Sequence, residues 1–393
     1  MKNLWTVLPP LLSDNFGFIE LVKGSDGCGI IDDSGDYRLG GSHGDGHGSG
    51  HAGGRDGREG RHHGDGFHRD GKMRGGKGGK GAARVMVSGA DAQDVTVGTR
   101  EKLLQAFRDA NARYNPNFAL FSAGPCGAMI GTDLSEIAES VAKEYGIPAA
   151  AVDLTGQKTY DVGISRTTEA MAKLLAEDCD VVPGTVNILG ATALDWAAED
   201  VSGVKAWAER QGYQVLAQPG GIVTAQQMKQ MGKAQLNLVT TVSGMAAAKY
   251  LQNRFGTPYL AAAPFGMAYG NAPQTDAENA DVLIIAEQFT ANTIRSALES
   301  KKMAKGADVA TFYQLDKSCA RSGDKRIRGE ESARELLNSG KYRTVIADPL
   351  LRPLLRSDCK WIDLPHKALN TSGEGAAISL LGSNLDNWLE RQY

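Results

Sequence analysis

The 393-residue chain predicts an α/β fold of three Rossmann-like domains, each a doubly wound parallel sheet, interrupted by a disordered Gly/His-rich insertion. Three observations support this. Short β-rich apolar runs alternate with amphipathic stretches of helical spacing, which is the pattern of strands covered by helices on both faces. The runs fall into three groups along the chain. One stretch, residues 40–82, has a composition foreign to everything around it.

The strands come first. Residues 117–121 (NFALF), 186–189 (VNIL), 236–242 (LNLVTTV), 281–286 (DVLIIA), 309–315 (VATFYQL) and 344–347 (TVIA) are too continuously apolar for half-exposed strands and read as buried parallel ones. Between them, residues 100–113, 133–145, 167–177, 193–211, 224–232 and 243–255 carry apolar positions at helical spacing. The grouping places a first domain in residues 1–180, a second in 181–275 and a third in 276–366. Residues 367–393, helical in spacing, are expected to pack back on the first.

Composition narrows the function classes. There are 43 Lys and Arg against 46 Asp and Glu, a formal net charge of −3, which argues against a dedicated nucleic-acid binder. No apolar run approaches the roughly 18 residues of a membrane span. The start, MKNLWTVLPPLL, makes a poor signal peptide, so a cytoplasmic location is expected. Five cysteines (Cys28, Cys126, Cys179, Cys319, Cys359) are too few and too scattered for a disulfide framework, and no CxxC pair exists.

Residues 40–82 hold 18 of the 49 glycines and six of the seven histidines, with a local charge of +3 that leaves −6 for the remainder. Only Ala52, Phe67, Met73 and Ala82 are apolar, so burial cannot offset the entropy of ordering this stretch. His43, His47, His51, His62, His63 and His68 suit Ni²⁺, Zn²⁺ or Co²⁺; a solvated glycine-rich loop without metal is the plain alternative. Gly71, Gly76 and Lys77 fit GxxxxGK, but Gly78 stands where Ser or Thr must hold Mg²⁺, so there is no P-loop.

Ligands of such folds bind at the carboxyl ends of strands. The loops there include Gly190-Ala191-Thr192, Pro219-Gly220-Gly221, Pro264-Phe265-Gly266 and Asp348-Pro349, none of them GxGxxG. Gly124-Pro125-Cys126-Gly127 differs by placing a thiol directly after a buried strand. Its neighbours leave a functional and a merely structural cysteine both open.

Read together, these pieces resemble component 1 of nitrogenase and its relatives, the protochlorophyllide reductase subunits and the nitrogenase-like reductase of nickel-tetrapyrrole synthesis. The resemblance runs through Phe16-Gly17-Phe18, Gly24-Ser25-Asp26-Gly27-Cys28, Asp94-Val95-Thr96-Val97-Gly98, Lys102-Leu103, Pro116 and Ser122-Ala123-Gly124-Pro125-Cys126. It continues through Ile130-Gly131-Thr132-Asp133-Leu134, residues 185–190, residues 234–239 and Phe255-Gly256-Thr257-Pro258 to Asp348-Pro349. Cys28 and Cys126 lie 98 residues apart, or 55 without the insertion, close to the spacing of two cluster cysteines in that family.

The resemblance implies a catalytic subunit of a two-component reductase. Low-potential electrons would come from a separate iron-protein-like ATPase through an interfacial [4Fe–4S] cluster to a substrate that is not dinitrogen. Cys28 and Cys126 would ligate the cluster, with Gly27 and Gly124 allowing close approach. Two copies of the chain would supply four cysteines; a heterodimer with a second component 1-like subunit would also serve. The family's earlier cysteine is missing from residues 1–27, and Asp14 or Asp26 could replace it. Cys179, Cys319 and Cys359 match no motif of the family and are expected to be structural. His366, after the last strand, is the candidate proton donor, against the plain reading of a core-edge histidine. The alternative function is a non-catalytic cofactor-assembly scaffold or metal carrier using the His-rich insertion.

Overall fold

The computed structural model describes residues 11–34, 84–265, 280–356, 358–369 and 377–393. The Gly/His-rich insertion and its six histidines lie outside the described residues. Three separate sheets, all parallel, follow one another along the chain.

The first unit comprises α1 (Asp14–Lys23), β1 (Cys28–Asp32), β2 (Val85–Val87), α2 (Asp94–Val97), α3 (Arg100–Tyr114), β3 (Ala119–Ala123), α4 (Pro125–Ile130), α5 (Leu134–Tyr145), β4 (Ala149–Val152) and α6 (Tyr160–Leu175). Its sheet order is β2-β1-β3-β4. Helix α3 buries Leu103, Phe107 and Ala110, spaced four and three apart as one helical face requires, and α5 buries Ile137, Ala138 and Val141. Asp133 caps α5 by accepting from the N–H groups of Ser135 and Glu136. Helices α1 and α6 touch backbone to backbone. A Cβ on Gly163 would run into the Asp14 carbonyl oxygen, and one on Gly17 into that of Tyr160. Glycine here fixes how closely Asp14 and Tyr160 approach the centre.

The second unit repeats the order with β5 (Val182–Leu189), α7 (Ala198–Arg210), β6 (Gln214–Ala217), α8 (Ala225–Lys229), β7 (Ala234–Val239), α9 (Met245–Phe255) and β8 (Tyr259–Ala261), arranged β6-β5-β7-β8. The third contains β9 (Val282–Ile285), α10 (Gln288–Ser300), β10 (Ala307–Thr311), β11 (Lys325–Arg326), α11 (Glu330–Leu337), β12 (Thr344–Ala347), β13 (Lys360–Asp363) and α12 (Asn384–Gln392), arranged β11-β10-β9-β12-β13. In each sheet the first strand is flanked by the next strand on one side and a later strand on the other. Each thus has a switch point, where strand-end loops diverge and leave a crevice.

Helix α12 meets α10, and Lys301, the residue directly after α10, pairs with its Asp386 and Glu390. Just before it, Ser379 and Leu380 bond the Asp200 carboxylate of α7. These contacts run to the second and third units, whereas the sequence groups the segment with the first. Among the described residues no helix is long and apolar enough to cross a membrane.

Candidate functional site

The two cysteines singled out by sequence end up at opposite ends of the first sheet. Cys28 opens β1 opposite Ala119, whereas Cys126 lies in α4, three residues beyond the far end of β3, where Asp32 faces Ala123. The four steps of strand from Cys28 to Asp32 span about 13 Å. Cys28 is fully buried among Leu103, Phe107, Ile137 and Val141, and burial pushes its thiol up to about 12. The structure thus places Cys28 in the core of the first unit and Cys126 at its surface, and within one chain it does not bring the two thiols together. Gly27 is explained likewise, since a Cβ there would collide with the Phe118 ring.

Cys126 is exposed, and its N–H donates to Asp33 Oδ1 at 3.2 Å. Gly124 precedes it as the N-cap of α4 and donates to the Asp32 carbonyl oxygen at 3.0 Å. Around this strand end Asp32 is saturated. Ser88 Oγ donates to its Oδ1 at 2.8 Å and Thr99 Oγ1 to its Oδ2 at 2.6 Å, while Thr99 and Thr132 share a 2.6 Å contact. Lys102 joins Asp91 and Asp94 nearby.

The two aspartates considered as replacement ligands have protein partners of their own. Asp14 is buried, its Oδ2 accepts from the Thr155 N–H at 3.3 Å, and burial raises its carboxyl above the usual range. Asp26 accepts from Asn117 Nδ2 and from the Ala225 N–H, both at 2.7 Å, which ties the first unit to the second. Of the remaining thiols, Cys359 donates to the Tyr342 carbonyl oxygen, and Cys319 presents its carbonyl oxygen to Asn292 Nδ2. Cys179 is half-buried in the loop before β5.

His366 lies elsewhere, where strand ends from the second and third sheets meet the start of α6. Tyr160 opens α6; Asp195 follows β5, Tyr313 follows β10, Asp348 follows β12 and His366 follows β13. The Tyr160 hydroxyl donates to Asp195 Oδ1 at 2.5 Å and stands 3.3 Å from His366 Nε2. The Tyr313 hydroxyl stands 3.4 Å from His366 Nδ1, and its ring stacks on the imidazole with centroids 5.1 Å apart. Asp348 Oδ2 accepts the His366 N–H at 2.7 Å, and Thr192 Oγ1 donates to Asp195 Oδ2 at 3.0 Å. Both imidazole nitrogens thus face a hydroxyl, and one hydroxyl continues to a carboxylate. Such a chain can pass a proton along alternating donors and acceptors.

The junction is rich in acids. Asp161, Glu287 and Asp348 are buried and the Asp195 side chain is 2% exposed; the hydrogen bonds of Asp195, Glu287 and Asp348 run to N–H groups and hydroxyls, with no Lys or Arg partner among the described residues. Glu287 accepts from the N–H groups of Val242 and Thr290, yet burial, reinforced by the Asp195 charge, lifts it to about 7. Burial also raises Asp161 and Asp348, and it holds the Tyr160 and Tyr313 hydroxyls well above their ordinary range. Desolvation disfavours the charged form of each of these groups, Glu287 most plainly. A cavity of about 20 Å³ adjoins it, lined in part by Asp195, Trp196, Phe265, Thr290 and His366. Among the described residues no three His, Cys, Asp or Glu side chains are grouped as a metal site would require.

Nothing in the sequence singles out Tyr160, Asp195, Tyr313 or Glu287. The spacing puts Asp195 inside a helix and Tyr313 inside a strand; both stand in loops, because α7 starts at Ala198 and β10 ends at Thr311. Their signal is position alone: Glu287 and Asp348 come within two residues of the apolar runs that precede them.

The family profile described as nitrogenase component 1 type oxidoreductase matches residues 67–312. A light-independent protochlorophyllide reductase subunit of Rhodopseudomonas palustris (strain BisB5) is 27% identical over 194 residues, covering 45% of this chain and 36% of that protein. The nitrogenase molybdenum-iron protein alpha chain of Methanothermobacter marburgensis is 27% identical over 184 residues, covering 45% and 38%. The nitrogenase iron-molybdenum cofactor biosynthesis protein NifE of a Nostoc species is 25% identical over 181 residues, covering 44% and 37%. The matched stretch thus spans little more than a third of each of these curated relatives. A solved structure described as nitrogenase Cp1 at pH 6.5 shares the fold, with a TM-score of 0.66 at 12% identity, over 100% of this chain and 94% of that one.

Proposed function

The chain belongs to the nitrogenase component 1 type oxidoreductase family, and from that premise we propose that it is the substrate-bearing subunit of a two-component reductase. Substrate sits at the three-unit junction and takes protons there, while a separate iron-protein-like ATPase delivers the electrons. The observation that carries this reading is the buried Tyr313–His366–Tyr160–Asp195 network, set at strand ends of the second and third sheets and at the start of helix α6 of the first unit. Reduction consumes protons as well as electrons, and this network aligns an imidazole with two hydroxyls and a carboxylate in a water-poor setting. His366 would hand a proton to substrate and be reprotonated through Tyr160, with Asp195 and Asp348 fixing the ring and its backbone.

The thiols do not fit an iron–sulfur cluster held by four cysteines of two identical chains. Cys28 is in the core, and Cys126 is the thiol that each copy presents at the end of the first sheet. Two copies therefore offer two thiolates there, so an interfacial cluster would need a cysteine-bearing partner subunit. No step above is routed through such a cluster.

The test is ATP-dependent dithionite oxidation, measured anaerobically with an iron-protein-like ATPase from the same genome, with and without this chain and its co-purifying subunits. The rate is expected to depend on the chain. A rate equal to that of the ATPase alone contradicts the reductase reading.

The thiol shortage favours a second reading, a cofactor-assembly scaffold or metal carrier using His43, His47, His51, His62, His63 and His68. Nickel or zinc stoichiometry in an equilibrium titration would then fall when residues 40–82 are deleted.

A further inference from the structure

Two hydrogen-bond donors beside the junction lack a partner. Trp196 is 3% exposed and Thr290 9% exposed, and neither Trp196 Nε1 nor Thr290 Oγ1 has a hydrogen-bond partner among the described residues. Both residues line the cavity next to Asp195 and His366. An indole N–H only donates, so it needs an acceptor that the described residues do not supply. Leaving such a donor unpaired in the interior is costly, and a ligand atom that pairs with it gains accordingly.

The charge of the surroundings selects the ligand further. Asp195 lines the cavity, Glu287 lies within reach of its charge, and Asp348 holds the His366 backbone. A carboxylate entering here would meet like charge. A cation would suit the acids but would leave the Trp196 N–H without an acceptor. A neutral group that carries both an acceptor and an N–H satisfies both kinds of lining group. Its oxygen takes the Trp196 and Thr290 donors, and its N–H meets the Asp195 carboxylate. The volume of about 20 Å³ admits one small polar group rather than a whole large ligand.

We propose that this cavity is a recognition subsite for a neutral amide-type group of the substrate, with Trp196 and Thr290 as donors to its oxygen and Asp195 as acceptor for its N–H. The proposal rests on the reading of the junction as the substrate site, but its test needs neither electrons nor a partner chain.

The probes are three molecules of nearly equal size and different charge: formamide, formate and formamidinium. Binding is read from the ¹⁵N–¹H indole signals of the five tryptophans, with the Trp196 signal assigned by Trp196→Phe. Formamide should shift the Trp196 signal saturably, and formate and formamidinium should not at the same concentration. Thr290→Val should weaken formamide by about threefold to tenfold, the loss of one hydrogen bond. Asp195→Asn should remove the discrimination against formate while the chain stays folded by circular dichroism. A Trp196 signal that formamide leaves unmoved, or that all three probes move alike, overturns the subsite. Failure of ATP-dependent reduction with formamide binding intact would instead count against the reductase reading alone.

Discussion

At the end of β1, the buried carboxylate of Asp32 is met on both oxygens by the hydroxyls of Ser88 and Thr99, and Thr99 is itself held by Thr132. At the junction, Asp161, Glu287 and Asp348 are buried in a crowd of acids, and each is raised above the usual carboxylate range by desolvation. Both clusters occupy strand ends, where this architecture builds sites. The first spends its polar groups on one another and locks a loop, whereas the second keeps groups that exchange protons and leaves donors facing a cavity. Burial of polar groups by itself therefore does not mark a site; unmet demand for a partner or a proton does.

The largest expected effect separating the two clusters is pH dependence. Glu287 titrates at about 7 in the folded chain against 4.5 ordinarily. Between those values the folded chain keeps a proton that the unfolded chain has released. Its contribution to stability is full below the unfolded value and declines as pH rises through about 7. That amounts to about 3 kcal/mol for this group. Urea unfolding at pH 5 and pH 8 should show this decline in the wild type and a flatter profile in Glu287→Gln. An unchanged profile would show that Glu287 is not the group responsible.

Next in size, Asp32→Ala removes the acceptor of two hydroxyls and should cost about 2–3 kcal/mol in urea unfolding. A smaller effect distinguishes the cysteines. Cys28→Ala leaves a small void in the core and should cost about 1 kcal/mol, whereas Cys126→Ala on the exposed face should stay within about 0.5 kcal/mol. Maleimide should label Cys126 in the native chain and reach Cys28 only on unfolding. Native labelling of Cys28 would contradict its place in the core.

The central strands are legible because NFALF, LNLVTTV, DVLIIA and TVIA are continuously apolar, as a strand covered on both faces must be. Their neighbours are not. Strand β4 reads AAAV, β8 has three residues and β2 three, too short or too alanine-rich to stand out. Strand β1 is hidden differently, because Cys28 draws attention as a ligand when CGIID is a buried strand in its own right. Helix α6 starts at Tyr160, seven residues before the sequence expectation. Gly163, which looks like a breaker, is there to let α1 approach. His366 is visible as the one histidine outside the glycine-rich stretch. Its partners are not, since Tyr160, Asp195 and Tyr313 come from three units, and only the packing of those units brings them to one ring.

The most direct test of the junction as the working centre compares His366→Gln with Cys28→Ala in the ATP-dependent dithionite oxidation assay. A loss of about 100-fold is expected for His366→Gln, in line with removal of a positioned proton donor, beside a Cys28→Ala rate close to wild type. A dead Cys28→Ala variant that remains folded, beside an active His366→Gln, would contradict the junction's role.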